Sequence, residues 1–226
     1  MLLHIPHILD TQQVQDIQQQ LANTEWQDGT YSSGAQASHV KQNQQLPTTS
    51  ATYQQLADTI SQALQQSLLF QSAALPKCVL RPLFNCYQQH GQYGNHVDNA
   101  LQRHHLSGER VRTDLSVTIF LSAPDTYQGG ELVIEDTYGS HAVKLNAGDA
   151  ILYPSTSLHR VEPVTEGQRL AAVTWVQSLV KDNWQRDMLF QLDMSILKLR
   201  QQLGDHPEIL SLTHHYHNLI RQWSEI

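Results

Sequence analysis

The hydrophobic and polar positions along the chain follow two different periods. In residues 1–76, apolar residues recur every three to four positions in two segments, as on one face of an amphipathic helix. A first helix is predicted to begin with a cap at Thr11, and a second to follow a cap at Ser50 or Thr49. The apolar positions of these helices are Val14, Ile17, Leu21, Tyr53, Leu56, Ile60, Leu64 and Leu68. Residues 27–45 have no apolar period and are predicted to form a loop.

Residues 77–178 have a different pattern, with short runs of β-branched and aromatic residues separated by turn signals. Leu115 and Val117 alternate with Ser116 and Thr118, as in a strand that buries one face. The predicted strands cover residues 79–87, 114–122, 130–135, 142–145, 150–153, 158–164 and 169–178. Many short strands at this spacing are typical of an antiparallel sandwich or barrel.

Helical spacing returns in residues 179–226. A helix capped at Asp182 or Asn183 is predicted to stop at Gly204, and another to begin at Pro207. The chain therefore divides into an N-terminal helical support segment (1–76), a strand-rich core (77–178) and a C-terminal helical hairpin (179–226). The predicted fold class is mainly β with flanking helices (α+β).

Composition narrows the function classes. With 226 residues and a formal charge of −7, the chain can bury a sizeable core but lacks the basic surface expected of a nucleic-acid binder. No apolar run approaches the roughly 20 residues of a membrane span, and the N-terminal residues do not resemble a signal peptide. Cys78 and Cys86 are too few for a disulfide scaffold. We expect a soluble cytoplasmic protein without nucleic-acid or membrane partners.

The strongest local signal is the tripeptide His96-Val97-Asp98. In extended backbone, residues i and i+2 point to the same side, so one imidazole and one carboxylate face a common point. Two histidines and one carboxylate form the facial arrangement of non-haem Fe(II) oxygenases. This short motif is weak alone, and a third ligand must come from a distant strand. His159, downstream of the apolar strand 150–153, is the candidate.

Arg169 strengthens this hypothesis. It opens an otherwise apolar predicted strand, so its guanidinium needs a partner. A dicarboxylate co-substrate would provide one through a planar bidentate contact. Asn85 and Thr118 fall on predicted strands and either line a co-substrate pocket or pack in the barrel wall, whereas Trp175 is predicted to be a core residue.

These residues resemble a known family. His96, Asp98, His159 and Arg169, with Gly129-Gly130-Glu131-Leu132 between them, resemble the Fe(II)- and 2-oxoglutarate-dependent dioxygenases of the prolyl/lysyl hydroxylase type. The closer resemblance is to the bacterial PKHD-type hydroxylases. It extends over the whole chain, including the helical tail and two loop segments. Those segments are Gly34-Ala35-Gln36-Ala37 and Lys41-Gln42-Asn43-Gln44-Gln45.

The resemblance implies a double-stranded β-helix (jelly roll) with flanking helices. It implies that His96, Asp98 and His159 hold Fe(II), that Arg169 pairs with the far carboxylate of 2-oxoglutarate, and that Tyr87 hydrogen-bonds the same carboxylate. The implied reaction uses O2, converts 2-oxoglutarate to succinate and CO2, and hydroxylates an unactivated C–H bond. L-ascorbate is implied as the reductant. Because Asp98 is a carboxylate, the halogenase variant of this site is not expected.

Two alternatives remain open at this stage. A cupin-like jelly-roll protein could bind metal without oxygenase turnover, and a structural module could use the C-terminal hairpin as its interface. The substrate, small-molecule or peptidyl, is not predicted by any motif. The broad apolar face of the C-terminal helices favours a homodimer. His214, His215 and His217 lie in the last helix, where the sequence supplies no carboxylate or cysteine at fixed spacing for a second metal site.

Overall fold

Helices lie towards both ends of the chain, and strands occupy most of the region between them. The computed structural model describes residues 1–32, 34 and 38–226. Gly29–Ser32 form a short 3-10 helix. The α-helices of the described residues are α1 (Thr11–Ala22), α2 (Ala51–Gln66), α3 (Leu68–Ala74), α4 (Asn183–Leu203) and α5 (Pro207–Trp223). None of these helices is long and apolar enough to cross a membrane.

Short strands make up the core and also reach into the N-terminal region. In chain order they are β1 (Leu3–Ile5), β2 (Gln27–Asp28), β3 (Lys41–Gln42), β4 (Gln44–Gln45), β5 (Pro76–Val79), β6 (Leu83–Tyr87), β7 (Gln92–His96), β8 (Leu101–Arg103), β9 (Arg110–Arg112), β10 (Leu115–Phe120), β11 (Tyr127–Gly129), β12 (Leu132–Asp136), β13 (Gly139–Val143), β14 (Ala150–Pro154), β15 (His159–Val161), β16 (Val164–Gly167) and β17 (Arg169–Ser178).

Two larger sheets organise these strands. The large sheet has the order β1-β14-β10-β17-β6-β4-β2, and β5 also pairs with β17. The small sheet has the order β13-β12-β15-β7-β3, and β11 with β16 and β8 with β9 form separate pairs. The pairings within the described residues are antiparallel. The protein is therefore a mixed α and β fold with antiparallel sheets, as the sequence predicted at this level.

The large sheet packs on both faces. On one face, alternate residues of β10 such as Val117 and Ile119 join a core with the apolar sides of α1, α2, α3 and α4. On the other face, Phe120 and Tyr153 meet Leu132 of the small sheet in a second core. This period of two gives each strand one helix-facing and one sheet-facing side.

The N-terminal region departs from the predicted helix–loop–helix pattern. Asp10, rather than Thr11, caps α1 and accepts a hydrogen bond from the Gln13 amide. The second predicted helix breaks at Ser67, which caps α3, so Leu68 is 86% exposed instead of lying on the apolar face. The predicted loop over 27–45 contains β2, β3 and β4. Strands of two residues, joined mainly through backbone hydrogen bonds, have no side-chain period to reveal them.

The core strands follow the prediction with shifted bounds. The predicted strand 79–87 is interrupted before β6, where Pro82 lacks the amide hydrogen that a continuous ladder requires. The predicted strand 158–164 is divided between β15 and β16, and the core strands β7, β8, β9 and β11 were not predicted. At the C-terminus, Asp182 caps α4, Gly204 ends it with a φ of 64°, and Pro207 begins α5, as predicted.

Candidate active site

A cavity opens between the two sheets, on the side of the large sheet that faces away from the helices. Its empty space, including the solvent-filled mouth, is about 720 Å³. All five predicted site residues line it, together with Asn85 and Thr118. Its other lining residues are Ser32, Gly34, Lys41, Leu83, Tyr93, Val97, Asn99, Gln102, Leu132, Tyr153, Val161, Val173 and Trp175.

Strand pairing brings the predicted metal-binding residues together. In the small sheet, β7 runs antiparallel to β15 with His96 directly opposite His159. Asp98 follows two residues after the end of β7, and its Oδ2 lies 3.8 Å from His159 Nε2. One ligand atom from each of the three side chains lies within 4.8 Å of the others. In the described part of the chain, this is the one group of histidine, cysteine and acidic residues with such an arrangement.

Hydrogen bonds orient all three side chains. His96 Nδ1 lies 2.8 Å from the Gly94 carbonyl oxygen, and His159 Nδ1 lies 3.0 Å from that of Ser157. If each Nδ1–H donates to its carbonyl, the Nε2 lone pair of each ring is free to bind a metal ion. Ser116 Oγ donates to Asp98 Oδ2 at 2.5 Å. The site thus offers two imidazole nitrogens and a carboxylate oxygen on one side of a common point.

A bulge in β7 adds an aromatic wall. Val161 pairs with Tyr93 while His159 pairs with His96, so β7 has one residue more than β15 in this stretch. Tyr93 consequently stacks on His96, with ring centroids 3.6 Å apart. Gly94 at the bulge is required because a Cβ atom there would lie 2.9 Å from Val40 Cβ. The alternation of a regular strand does not predict a contact between residues i and i+3. The sequence therefore did not predict the stacking of Tyr93 on His96.

Burial sets the charge state of the imidazole at position 96. Burial, and after it the nearby His159 ring, lowers the pKa of His96 from 6.5 to about 4. The neutral imidazole is therefore the form present at pH 7, which is the form that binds a metal ion. Burial also raises the pKa of Tyr93, so its phenol stays protonated.

Arg169 lies at the other end of the cavity, opposite Tyr87 in the pairing of β17 with β6. It is 1% exposed, and its guanidinium carbon lies 5.2 Å from the ring centroid of Tyr87 and 5.4 Å from that of Phe120. Among the described residues, Nε and Nη2 of Arg169 have no hydrogen-bond partner. Burial raises the pKa of Tyr87, which keeps the phenol available as a donor. The Arg169 guanidinium and the Tyr87 phenol can therefore bind an anion in a buried part of the cavity.

Other residues singled out from the sequence lie elsewhere. Arg112 pairs with Asp114 and Glu225, and the thiols of Cys78 and Cys86 are free. The three histidines of α5 are not part of the metal-ligand group of the described residues. Trp175 packs with Leu80 and Val111, as predicted for a core residue, and also lines the cavity. Residues 35–37, in the loop segment 34–37 that carries part of the family resemblance, lie outside the described residues.

Ser116 and Lys41 were not predicted to belong to the site. Ser116 lies on the cavity side of β10, where its hydroxyl is also 2.7 Å from that of Ser155. Alternation in β10 was the available signal, because a buried polar residue in an apolar strand needs a partner. Lys41 lies in β3, a strand too short to be predicted, and no pattern in the sequence indicates that it is buried.

Comparison with known proteins identifies the family. Residues 82–177 match the 2OG-Fe(II) oxygenase superfamily, and residues 183–225 match the PKHD-type hydroxylase C-terminal domain. A PKHD-type hydroxylase of Hyphomonas neptunium is 56% identical over 225 residues, and one of Saccharophagus degradans is 51% identical over 225 residues. Each alignment covers all of both chains. The chain belongs to the PKHD-type hydroxylase family.

This PKHD-type hydroxylase is therefore a 2-oxoglutarate-dependent dioxygenase, and its family implies Fe(II) and 2-oxoglutarate. Solved structures are similar in fold. A Pseudomonas putida prolyl-4-hydroxylase aligns with a TM-score of 0.51 and 19% identity, over 78% of this chain and 92% of that one. The viral collagen prolyl hydroxylase of Paramecium Bursaria Chlorella virus-1, in a 2OG complex, aligns with a TM-score of 0.54 and 15% identity, over 78% and 96% of the respective chains.

Proposed function

We propose that this PKHD-type hydroxylase binds Fe(II) through Nε2 of His96, Nε2 of His159 and the carboxylate of Asp98, and hydroxylates an unactivated C–H bond of its substrate. The observation that carries the assignment is the convergence of these atoms within 4.8 Å, with both Nδ1 atoms facing carbonyl oxygens. Two neutral imidazoles and one carboxylate fit the facial donor set that Fe(II) oxygenases use.

The proposed co-substrate site is the far end of the cavity. Arg169 would pair with the distal carboxylate of 2-oxoglutarate, and Tyr87 would donate its phenolic hydrogen to the same group. The two unpartnered guanidinium nitrogens of Arg169 support this role, because a buried charge is costly unless an anion pairs with it. Gly130 leaves room for Arg169, since a Cβ there would lie 3.0 Å from Arg169 Cδ.

When bound, iron and 2-oxoglutarate supply the oxidising chemistry, in which O2 and 2-oxoglutarate yield succinate, CO2 and a hydroxylated substrate. The protein's own part is to hold and orient the reactants. Ser116 fixes the Asp98 carboxylate, Tyr93 supports the His96 ring, and the apolar contacts between the sheets limit access of water.

We propose a jelly-roll core for the strands, because two antiparallel sheets enclose the cavity and the structural neighbours are 2-oxoglutarate oxygenases. The proposed division is an N-terminal support segment (1–76), the oxygenase core (77–178) and a C-terminal appendage (179–226). The strands β1, β2, β3 and β4 extend the two sheets from the support segment.

Four further properties complete the proposal. Ascorbate would serve as the reductant, and the protein would lie in the cytoplasm, both as the family resemblance implies. The substrate would be a small molecule or a peptide, and the protein would be a homodimer.

The homodimer would form through α4 and α5, which expose Leu197, Leu203 and Leu210. Light scattering at several protein concentrations tests the dimer, and replacement of the three leucines by glutamine is expected to yield a monomer.

Anaerobic titration with Fe(II) and 2-oxoglutarate tests the function directly. We expect the metal-to-ligand charge-transfer band of the ternary complex in the wild type and its loss in Arg169→Ala at the same ligand concentrations. Arg221→Ala, on the exposed side of α5, is the matched control and should retain the band. A wild type that binds Fe(II) without developing the band would instead favour the cupin-like alternative.

A further inference from the structure

A buried lysine lies beside the proposed iron site. Lys41 is only 7% exposed, lines the same cavity as His96, and pairs with Tyr93 across β3 and β7. Its Nζ donates to Ser32 Oγ at 2.7 Å and lies 5.2 Å from the ring centroid of Tyr93. An ammonium group has three hydrogens to donate, and a hydroxyl and an aromatic face satisfy it only in part.

Carboxylates within the protein do not compensate this charge directly. No ion pair joins Lys41 to an acidic residue in the described part of the chain. Asp28 and Asp98 act on it over longer distances, and Asp28 is exposed to solvent, which screens it. Burial lowers the pKa of Lys41 to about 8, so the ammonium form still predominates at pH 7. The protein thus keeps a costly positive charge inside the cavity.

The charges in the cavity can be counted, and the count rests on the proposed function. Among the described lining residues, Lys41 and Arg169 carry positive charges and Asp98 carries a negative one, and an imidazole that binds a metal ion does so in its neutral form. With bound Fe(II) and the 2-oxoglutarate dianion, the loaded site would hold four positive and three negative charges. One negative charge is therefore missing, and Lys41 is the cation to which the proposed function gives no anionic partner.

Another lining residue also has an unused donor. Trp175 Nε1 is buried and has no hydrogen-bond partner among the described residues. A buried donor of this kind usually finds an acceptor, from the protein or from a ligand. Lys41 and Trp175 therefore both suit a ligand rich in acceptor oxygens.

We propose that Lys41 is a specificity-determining residue that binds a carboxylate of the substrate. The substrate class is then a small organic acid whose carboxylate is separate from the carbon that is hydroxylated. The carboxylate supplies the missing negative charge and accepts hydrogens from Lys41 Nζ. Ser32 Oγ, already hydrogen-bonded to Nζ, helps to hold the ammonium in place. This assignment deepens the proposed function, because it names the chemistry that the oxygenase site recognises.

Matched acid and amide pairs test the proposal on anaerobic protein loaded with Fe(II) and 2-oxoglutarate. The probes are hexanoate with hexanamide, phenylacetate with phenylacetamide, and N-acetylproline with its amide. Isothermal titration is expected to show at least one acid binding about 10-fold or more tightly than its amide, as one charge-assisted hydrogen bond would give. The absence of such a preference in every pair would overturn the proposal without any variant.

Two lysine variants assign the preference to a residue. Lys41→Met should lower the affinity for the preferred acid about 10-fold, to that of the amide, while Lys41→Arg should keep part of the preference. Lys144→Met is the matched control, because Lys144 Nζ also lies over a tyrosine ring, 4.1 Å from the Tyr127 centroid, but does not line the cavity. An unchanged acid preference in a folded Lys41→Met protein would overturn the assignment.

The affinity for 2-oxoglutarate separates this proposal from the proposed function. Lys41→Met is expected to bind 2-oxoglutarate within about 2-fold of the wild type by the charge-transfer titration. If Lys41→Met also lost affinity for 2-oxoglutarate, Lys41 would belong to the co-substrate site. That result would overturn the substrate assignment and leave the proposed function standing. A wild type that does not bind 2-oxoglutarate would instead contradict the proposed function itself.

Discussion

The two sides of strand β10 have the same burial but different chemistry. Leu115, Val117 and Ile119 point to the helices and pack among apolar side chains, whereas Ser116 and Thr118 point to the cavity between the sheets. All of them are 3% exposed or less. The helix side of β10 therefore stabilises the fold, and its cavity side contributes to the candidate site.

The neighbouring strands show the same division. Phe84 and Cys86 of β6 lie in the helix-side core, while Asn85 and Tyr87, which alternate with them, line the cavity. Buried polar groups cost stability unless they are satisfied, so the cavity side carries an energetic cost that the helix side does not. Substitutions on the two sides should therefore separate stability from activity.

The largest effect is expected on the cavity side, from Asp98→Ala. This change removes the charged donor of the proposed iron site and should abolish succinate formation, with iron binding lost in the anaerobic titration. Asp125→Ala, at an exposed turn, is the control and should behave as the wild type. Wild-type iron affinity in Asp98→Ala would contradict the ligand assignment.

The sequence singled out the candidate residues that the structure brings together in one cavity, but not their surroundings. The His96-Val97-Asp98 spacing, His159 and Arg169 indicated the site because each is an unusual polar residue in or beside an extended segment. The supporting contacts depend on register and on irregular backbone. The bulge that places Tyr93 on His96, and the two-residue strand that buries Lys41, leave no periodic signal in the sequence.

The helix side should respond in stability alone. Ile119→Ala removes a fully buried side chain and should lower the free energy of unfolding by about 2–5 kcal/mol, measured by urea denaturation. Its 2-oxoglutarate affinity should stay within about 2-fold of the wild type. Thr118→Val, one residue away on the cavity side, is the matched comparison and should cost less stability. Equal loss of stability in both variants would remove the distinction between the two sides.

The pH dependence of stability should reveal the cost of the buried charge at Lys41. Its pKa is about 8 in the folded protein and 10.5 when unperturbed, so the unfolded chain binds more protons between these values. The contribution of Lys41 to stability should therefore rise as pH increases from about 8 to 10.5, by on the order of 3 kcal/mol. Urea denaturation of metal-free wild type and Lys41→Met measures the difference. Parallel pH profiles for the two proteins would contradict the folded-state burial of this ammonium group.

Arg169→Met should separate ligand binding from stability. Loss of two charge-assisted hydrogen bonds to the distal carboxylate should weaken 2-oxoglutarate binding about 100-fold. Without 2-oxoglutarate, the variant should be as stable as the wild type or more so, because an unpaired buried charge has been removed. Calorimetry with and without 2-oxoglutarate measures both effects. A large loss of stability without ligand would show that Arg169 mainly supports the fold.

The smallest effect is expected from Ser116→Ala, which leaves the proposed ligands intact. The Ser116 hydroxyl fixes Asp98 Oδ2 at 2.5 Å, and partners that orient a ligand typically contribute 10- to 100-fold to metal affinity. We expect about a 10-fold loss, because His96 and His159 keep their own carbonyl partners. Ser140→Ala, at an exposed position of β13, is the control in the same Fe(II) titration. Unchanged iron affinity in Ser116→Ala would mean that the cavity side of β10 supports the site by packing alone, and the contrast between the two sides would then be one of polarity without function.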